Sequence, residues 1–280
     1  MTNTTYTLAP NQFITAASGI KYAYREMGQK TGIPVILLTH LSANLDNWEP
    51  SLIDELAKKH WLIMFDNSGV GLSTGRVPQT IQAMARDALT FIHTFDFKQV
   101  DILSLSMGGM IAQELVLREP QLVRKLILTG TGPRGGYGID QVTRVTNLDL
   151  VRAVITLKDV KTYLFFTRTA VGKRAAADFL RQIKRRQSNR DRSISLSAYT
   201  AQLKAIKRWG KEGPADLSKI SQPTLIANGD HDRMVPTKNS YDLATRIPNS
   251  KLIIFKDAGH GSIFQYYLQF SQAVNQFLQN

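Results

Sequence analysis

Serine 106 is the residue in this chain best placed to act as a nucleophile. It lies in Ser104-Leu105-Ser106-Met107-Gly108-Gly109, between an apolar run, Val100 to Leu103, and a helix-like run, Met110 to Arg118. A small-x-Ser-x-Gly sequence at a strand-to-helix junction forces a hydroxyl out of the backbone into an exposed, strained turn. The first position of that pattern is usually glycine, and here it is Ser104. By itself the hexapeptide fits an ordinary turn equally well, since Ser and Gly are common turn residues. Its weight depends on whether the rest of the chain supplies a base and an acid.

Five histidines could serve as the base: His40, His60, His93, His231 and His260. His260 stands in Asp257-Ala258-Gly259-His260-Gly261, a glycine-flanked loop after the last strand-like run. In open α/β sheets, ligands bind at the carboxyl ends of strands. His60 and His93 fall near helix ends or on helix faces, where structural or solvated roles are expected, and His40 follows an earlier strand. For the acid, Asn228 to Pro236 follows the run Pro223 to Ala227 and offers both Asp230 and Asp232, each of which could instead cap a turn. Ser106, then Asp230 or Asp232, then His260 is a serine, acid, histidine order suited to acyl transfer through a covalent serine ester.

Elements in the right places must hold these groups. Phe13 to Ala17 and Ile20 to Arg25 read as strands joined at Ser18-Gly19, an N-terminal hairpin. Pro34 to Thr39, Trp61 to Phe65, Val100 to Leu103 and Leu122 to Thr129 are apolar runs of the kind buried on both faces of a sheet. Helical spacing falls between them, at Asn47 to Lys59, Ile81 to Phe95 and Met107 to Arg118. Single helices between strands imply right-handed crossovers and a parallel sheet. From about Arg134 to Trp209 buried-strand runs stop and helix-like segments recur, at Gln141 to Leu157, Val160 to Thr167 and Lys173 to Arg186. After Gly213-Pro214 the alternation resumes, with strands at Pro223 to Ala227 and Lys251 to Phe255 and helices at Lys238 to Arg246 and Ile263 to Leu278. The expected domains are a sheet core from 1–133 and 214–280, with a helical insertion at 134–213.

The 280 residues hold no cysteine, which removes disulfides, Cys-ligated zinc and thiol nucleophiles together. Hydrophobic residues make up 43% of the chain and charged ones 20%, so a folded globular protein is expected. Met1 to Pro10 is polar, without a basic n-region or apolar h-region, and no apolar stretch reaches 18 residues. A secretory signal and membrane insertion are therefore not expected, and a cytoplasmic location is. Between Gly135 and Gly213 there are 17 Lys or Arg against 6 Asp or Glu, so one segment carries +11 of the net +13. The excess could attract an anionic partner, but no nucleic-acid motif accompanies it, so solvated helix faces are the favoured reading. Gly69-Val70-Gly71 lacks the third glycine and following acid of a dinucleotide fingerprint. No P-loop or metal-ligand spacing occurs, so neither a cofactor nor a metal is expected.

Taken in order, His40-Leu41-Ser42, Asp66 to Ser73, Ser104 to Gly109, Gly229 to Pro236 and Gly259-His260 resemble the motifs of the α/β-hydrolases, over nearly the whole chain. The resemblance implies a mostly parallel eight-stranded sheet with an N-terminal antiparallel hairpin, flanked by helices, and an inserted helical cap. It places the acid at the end of Gly-x-x-Asp, which selects Asp232. It further implies that Ser106 attacks, His260 is base and then acid, and Asp232 orients the imidazole. An oxyanion hole is implied at the N–H of Met107 and that of Ser42, with Leu41 as the nearby alternative and His40 bracing the loop. Three departures stand out. Leu41 and Ser104 replace glycines, and Ser68 replaces an arginine common in the family, which removes a structural ion pair.

Serine at the elbow argues against the relatives that use aspartate there, such as epoxide hydrolases and haloalkane dehalogenases. The expected reaction is hydrolysis of a small or medium ester or lactone, with acyl homoserine lactones a special case by family analogy. Carbon–carbon bond hydrolysis or cofactor-free perhydrolysis on the same triad, or a ligand-binding signalling role that retains the triad, are the alternatives. Besides His40, apolar and aromatic residues of the insertion, Tyr137, Leu157, Tyr163, Phe165, Phe166, Phe179 and Trp209, are candidates to line an acyl site, although each could equally be packing. The expected partner is the small-molecule substrate alone, with the protein a monomer or homodimer.

Overall fold

A computed structural model describes residues 4–279; Met1–Asn3, in the polar N-terminal stretch, and Asn280 lie outside the described residues. The elements run β1 (Gln12–Thr15), β2 (Lys21–Met27), β3 (Val35–Leu38), α1 (Pro50–Ala57), β4 (Leu62–Phe65), α2 (Ile81–Ile92), β5 (Val100–Leu105), α3 (Met107–Arg118) and β6 (Val123–Thr129). Next come α4 (Val142–Thr156), α5 (Lys161–Phe165), α6 (Ala170–Ile183) and α7 (Leu196–Lys211). The chain closes with β7 (Thr224–Gly229), α8 (Lys238–Arg246), β8 (Ser250–Phe255), α9 (Ser262–Gln265) and α10 (Tyr267–Gln279).

The eight strands form one sheet in the order β1-β2-β4-β3-β5-β6-β7-β8. β1 pairs antiparallel with β2, and β2 with β4. All remaining pairs are parallel. The hairpin and the parallel sheet therefore follow the sequence pattern. β3, β4, β5 and β7 are buried along their whole length, the signature of strands covered by helices on both faces. Among the described residues no helix is long and apolar enough to cross a membrane.

Helix ends depart from the expected spans where side chains cap them. α1 begins at Pro50 because Glu49 accepts hydrogen bonds from Ser51 N (3.0 Å) and Leu52 N (2.8 Å). α6 begins at Ala170, where the Thr169 hydroxyl accepts from Gly172 N. The last expected helix is two, α9 and α10, broken at Tyr266, whose φ of −113° and ψ of 38° leave the helical region.

Two close approaches fix how α3 sits. A Cβ on Gly108 would lie 2.1 Å from the Leu38 carbonyl oxygen, and one on Gly109 2.5 Å from the Thr131 side chain. The helix therefore rests directly on the ends of β3 and β6. Ser104, in place of the usual glycine, donates from its hydroxyl to Ile127 O (2.7 Å). Thr129 Oγ1 returns a bond to Ser104 O (2.7 Å), so this serine laces β5 to β6.

The segment between β6 and β7 is helical and is tied to the sheet region through polar contacts. Arg186 donates to the carbonyls of Tyr6, Thr7 and Ala9. Asp191 lies against buried Asp66: a Cβ on Gly71 would fall 2.3 Å from Asp66 Oδ2 and 2.7 Å from both Asp191 oxygens. Burial, then the hydrogen bond and charge of Asp191, hold the Asp66 carboxyl well above the usual carboxylate range. Leu45 N donates to both carboxyls, at 2.9 Å and 3.2 Å.

Gly108→Ala is expected to lower the melting temperature by several degrees, since overpacking at a rigid backbone contact costs roughly 1–3 kcal/mol or more; unchanged melting would show that β3 yields. The Asp66 proton, bound in the native state where the unfolded carboxyl has lost it, contributes stability that declines as pH rises above about 4. In urea unfolding at pH 5 and pH 8, Asp191→Asn should gain stability relative to wild type as pH increases. A relative loss would refute the shared proton.

Candidate active site

β5 delivers Ser106 into a turn with φ 59° and ψ −117°, a sparsely populated conformation, and α3 starts at the next residue. The turn is pinned on both sides: Ser106 N donates to Thr129 O (2.8 Å), and Ser106 O accepts from Gly109 N (2.9 Å) and Met110 N (3.3 Å). Met107 N–H, the first of the helix, has no acceptor among the described residues. It is thus free for an anionic atom at a helix N-terminus.

Asp232 follows β7. Its Oδ1 accepts from Met234 N (2.8 Å) and Val235 N (3.0 Å), and its Oδ2 from His260 Nδ1 (2.7 Å). Both side chains are buried. The competing carboxylate, Asp230, instead pairs with exposed His231 (2.6 Å) and accepts from Ala258 N (3.1 Å). Gly130, at φ 52°, leaves room beside His260: a Cβ there would stand 3.3 Å from its Nδ1. His260 and Ser106 line one cavity of about 410 Å³.

His40 and Leu41 line it too. His40 Nδ1–H donates to Leu41 O (2.8 Å), and its buried Nε2 has no partner among the described residues. Burial drives the His40 pKa down to about 3, outweighing that hydrogen bond. Ser42, the second expected oxyanion donor, takes φ 59° in a turn closed by Ala43 N donating to His40 O (3.2 Å). Its N–H is engaged by Gln202 Oε1 of α7 at 2.7 Å. In this arrangement that donor is not free, whereas Leu41 N–H has no acceptor among the described residues. Gln202 was not legible as a neighbour: it lies 160 residues downstream of Ser42, and a contact at that separation leaves no local pattern.

Of the aromatic residues expected to line an acyl site, Phe165 does so. Its ring meets His40 edge-on at 5.0 Å and lies 5.7 Å from the His260 ring. Its carbonyl accepts from Gly261 N (2.8 Å), and a Cβ on Gly259 would fall 2.7 Å from that oxygen. The glycines around His260 are thus required by α5. The other expectations are corrected. Tyr137 is 66% exposed under Lys238. Trp209 is buried, with Nε1 donating to Gly132 O (3.3 Å), and Phe166 packs against Phe165 and Phe179; neither lines the cavity. Phe179 is likewise core, Tyr163 binds Thr156, and Leu157 is exposed. The walls come instead from Thr146, Leu150, Val160, Lys161, Leu164, Ile194, Ser195, Leu196, Tyr199 and Met234. They are mainly aliphatic, with Lys161 the one lysine, arginine or carboxylate among the described lining residues. A surface cleft of about 500 Å³ at Arg144, Lys207 and Lys211 is more voluminous but contains neither a serine nor a histidine. His60 and His93 bind Asn275 and Glu119. No group of three or more metal-ligating side chains occurs among the described residues.

Residues 33–266 match the family described as alpha/beta hydrolase fold. The chain belongs to the α/β-hydrolase family, and its activity class is hydrolysis. An α/β-hydrolase fold protein from Chitinophaga pinensis superposes with a TM-score of 0.92 at 35% identity, over 99% of this chain and 100% of that one. A poly(3-hydroxyalkanoate) depolymerase of Ectopseudomonas oleovorans is 29% identical over 81% of this chain and 77% of its own. A pimeloyl-[acyl-carrier protein] methyl ester esterase of Aliivibrio salmonicida is 24% identical over 89% of this chain and 93% of its own.

Because folded His40 stays neutral while the unfolded ring titrates near 6.5, the unfolded state binds the extra proton between about pH 6.5 and 3, and stability falls on acidification. This residue contributes at most about 1.4 kcal/mol per pH unit. Urea unfolding of His40→Gln should show a shallower loss of stability between pH 6 and pH 4 than wild type. An identical slope would mean that the folded ring takes up the proton.

Proposed function

We propose that the protein hydrolyses carboxylic esters or lactones of small to medium acyl groups through an acyl-enzyme on Ser106. The observation that carries this reading is the 2.7 Å Asp232–His260 pair opening, with the strained Ser106 turn, onto one largely aliphatic cavity. The ester chemistry named for the depolymerase and the methyl ester esterase supports it.

In this mechanism Ser106 Oγ attacks the carbonyl carbon while His260 Nε2 takes the hydroxyl proton. Asp232, kept a hydrogen-bond acceptor by two backbone amides, holds Nδ1–H and stabilises the imidazolium. The oxyanion is received by Met107 N–H and Leu41 N–H; Ser42 N–H joins only if the Gln202 carboxamide turns away. Each such donor is worth about 3 kcal/mol in the transition state. Collapse expels the alcohol, which leaves with the proton from His260. Water, deprotonated by the same nitrogen, then releases the acid. The β6–β7 helices act as a cap, with Leu150, Leu164, Leu196 and Tyr199 holding the acyl chain.

A serine-reactive fluorophosphonate should add once, at Ser106, and a p-nitrophenyl ester panel should show turnover that the label abolishes. Ser106→Ala and His260→Ala should each cut kcat by roughly 10³-fold or more, and the double variant by little further, because the pair acts as a unit. Label at another residue, or full activity in either variant, would sink the mechanism. Hydrolysis of diketones with esters untouched would move the reaction to carbon–carbon cleavage.

A further inference from the structure

α4 buries Val142 and Ala153 but also two polar side chains, and it exposes an apolar row. Its buried positions include Thr146 and Asp149, the latter fully enclosed and paired with Arg152 (2.5 Å) and Arg233 (2.9 Å). Its outward positions are Arg144, Asn147 and Thr156 and, concentrated in the C-terminal half, Leu148, Leu150, Val151, Val154 and Ile155, followed by Leu157, the apolar ones with exposures from 47% to 94%. From Leu148 to Ile155 this apolar row runs along about 12 Å of the helix. Ordinary surface helices show the opposite pattern, and a contiguous exposed apolar strip marks a face that something else covers.

Charge indicates what covers it. At one end Leu148 and Arg144 border a cleft shared with Lys207 and Lys211 of α7, three cations against the one carboxylate of Asp140, and exposed Lys158 follows the other end. The segment from Gly135 to Gly213 carries +11. Two copies meeting through this face would bring two such excesses together. An anionic lipid surface accommodates both features, taking the apolar row among its acyl chains and the cations at its headgroups. Leu150 belongs at once to this outer face and to the cavity wall, and Leu196 of α7, 77% exposed, lines the same cavity, so the strip reaches the cavity mouth.

We propose that the outer face of α4, with the Arg144, Lys207 and Lys211 cluster, docks the protein peripherally on anionic lipid. The test is co-sedimentation of the full chain with phosphatidylglycerol-containing vesicles, against pure phosphatidylcholine, in low and high salt. Wild type should bind the anionic vesicles, and salt should weaken binding. Val151→Asp/Ile155→Asp and, separately, Lys207→Glu/Lys211→Glu should each reduce partitioning at least tenfold, with hydrolysis of a soluble short-chain ester retained as evidence of folding. Ser106→Ala should bind like wild type, which separates this outcome from that of the catalytic reading. No binding to anionic vesicles, or undiminished binding by the aspartate variant, would overturn the proposal. A wild-type dimer that the aspartate variant converts to monomer would overturn it in favour of a second copy of the chain.

Discussion

The crossing of α3 over the ends of β3 and β6 governs the placement of Ser106 and of the Met107 amide, the groups around which the rest of the site is gathered. It requires that no side chain intervene: Gly108 meets the Leu38 carbonyl and Gly109 the Thr131 side chain, each at a distance where a methyl group has no room. Helix and sheet thus touch backbone to backbone, and the turn that joins them cannot relax. The positive φ of Ser106 is held by hydrogen bonds to β6 and to the first turn of α3. Such a conformation costs roughly 1–3 kcal/mol and persists because its surroundings over-determine it. Ser104 contributes by binding both ways across β5 and β6.

The β6–β7 helices meet this rigid base at three kinds of contact. Phe165 wedges between the rings of His40 and His260 and takes a hydrogen bond from the base's own loop. Gln202 reaches down to the amide of Ser42. Farther out, Arg186 and Asp191 fasten the segment to the N-terminal residues and to the loops after β3 and β4. The cavity is therefore a joint product of a fixed floor and a roof secured by polar contacts at its rim. Movement of that roof would release the Ser42 amide and withdraw Phe165 from both imidazoles together.

Much of this was legible from residue order. Buried strands announce themselves as apolar runs, and the glycine-rich junctions mark turns and close approaches, so the sheet and the positions of Ser106, Asp232 and His260 at strand ends followed from local pattern. The choice of Asp232 over Asp230 needed family resemblance, since both sit in one turn; in space, only Asp232 faces His260, and Asp230 faces the exposed His231. The cavity wall was poorly legible. Aromatic residues drew attention by size, yet Trp209, Phe166 and Phe179 are large enough to be spent on core packing, and smaller aliphatic residues form most of the wall. Gln202 and Asp191 could not be read at all, because a contact between residues 160 or 125 apart in sequence leaves no local signature. α4 was legible as a helix at Gln141 to Leu157, but not which side faces inward, because its buried side carries Asp149 and its exposed side an apolar row.

The backbone at position 106 also filters which nucleophiles this fold can carry. A residue branched at Cβ is a severe outlier at positive φ, whatever its reactivity. Threonine offers the same hydroxyl as serine, and chemistry alone would admit it; the turn does not. Serine, cysteine and aspartate each keep a single heavy substituent on Cβ and fit the same geometry. The range of reactions open to descendants of this chain is thus bounded first by the shape of one peptide unit, and only then by acidity or nucleophilic strength.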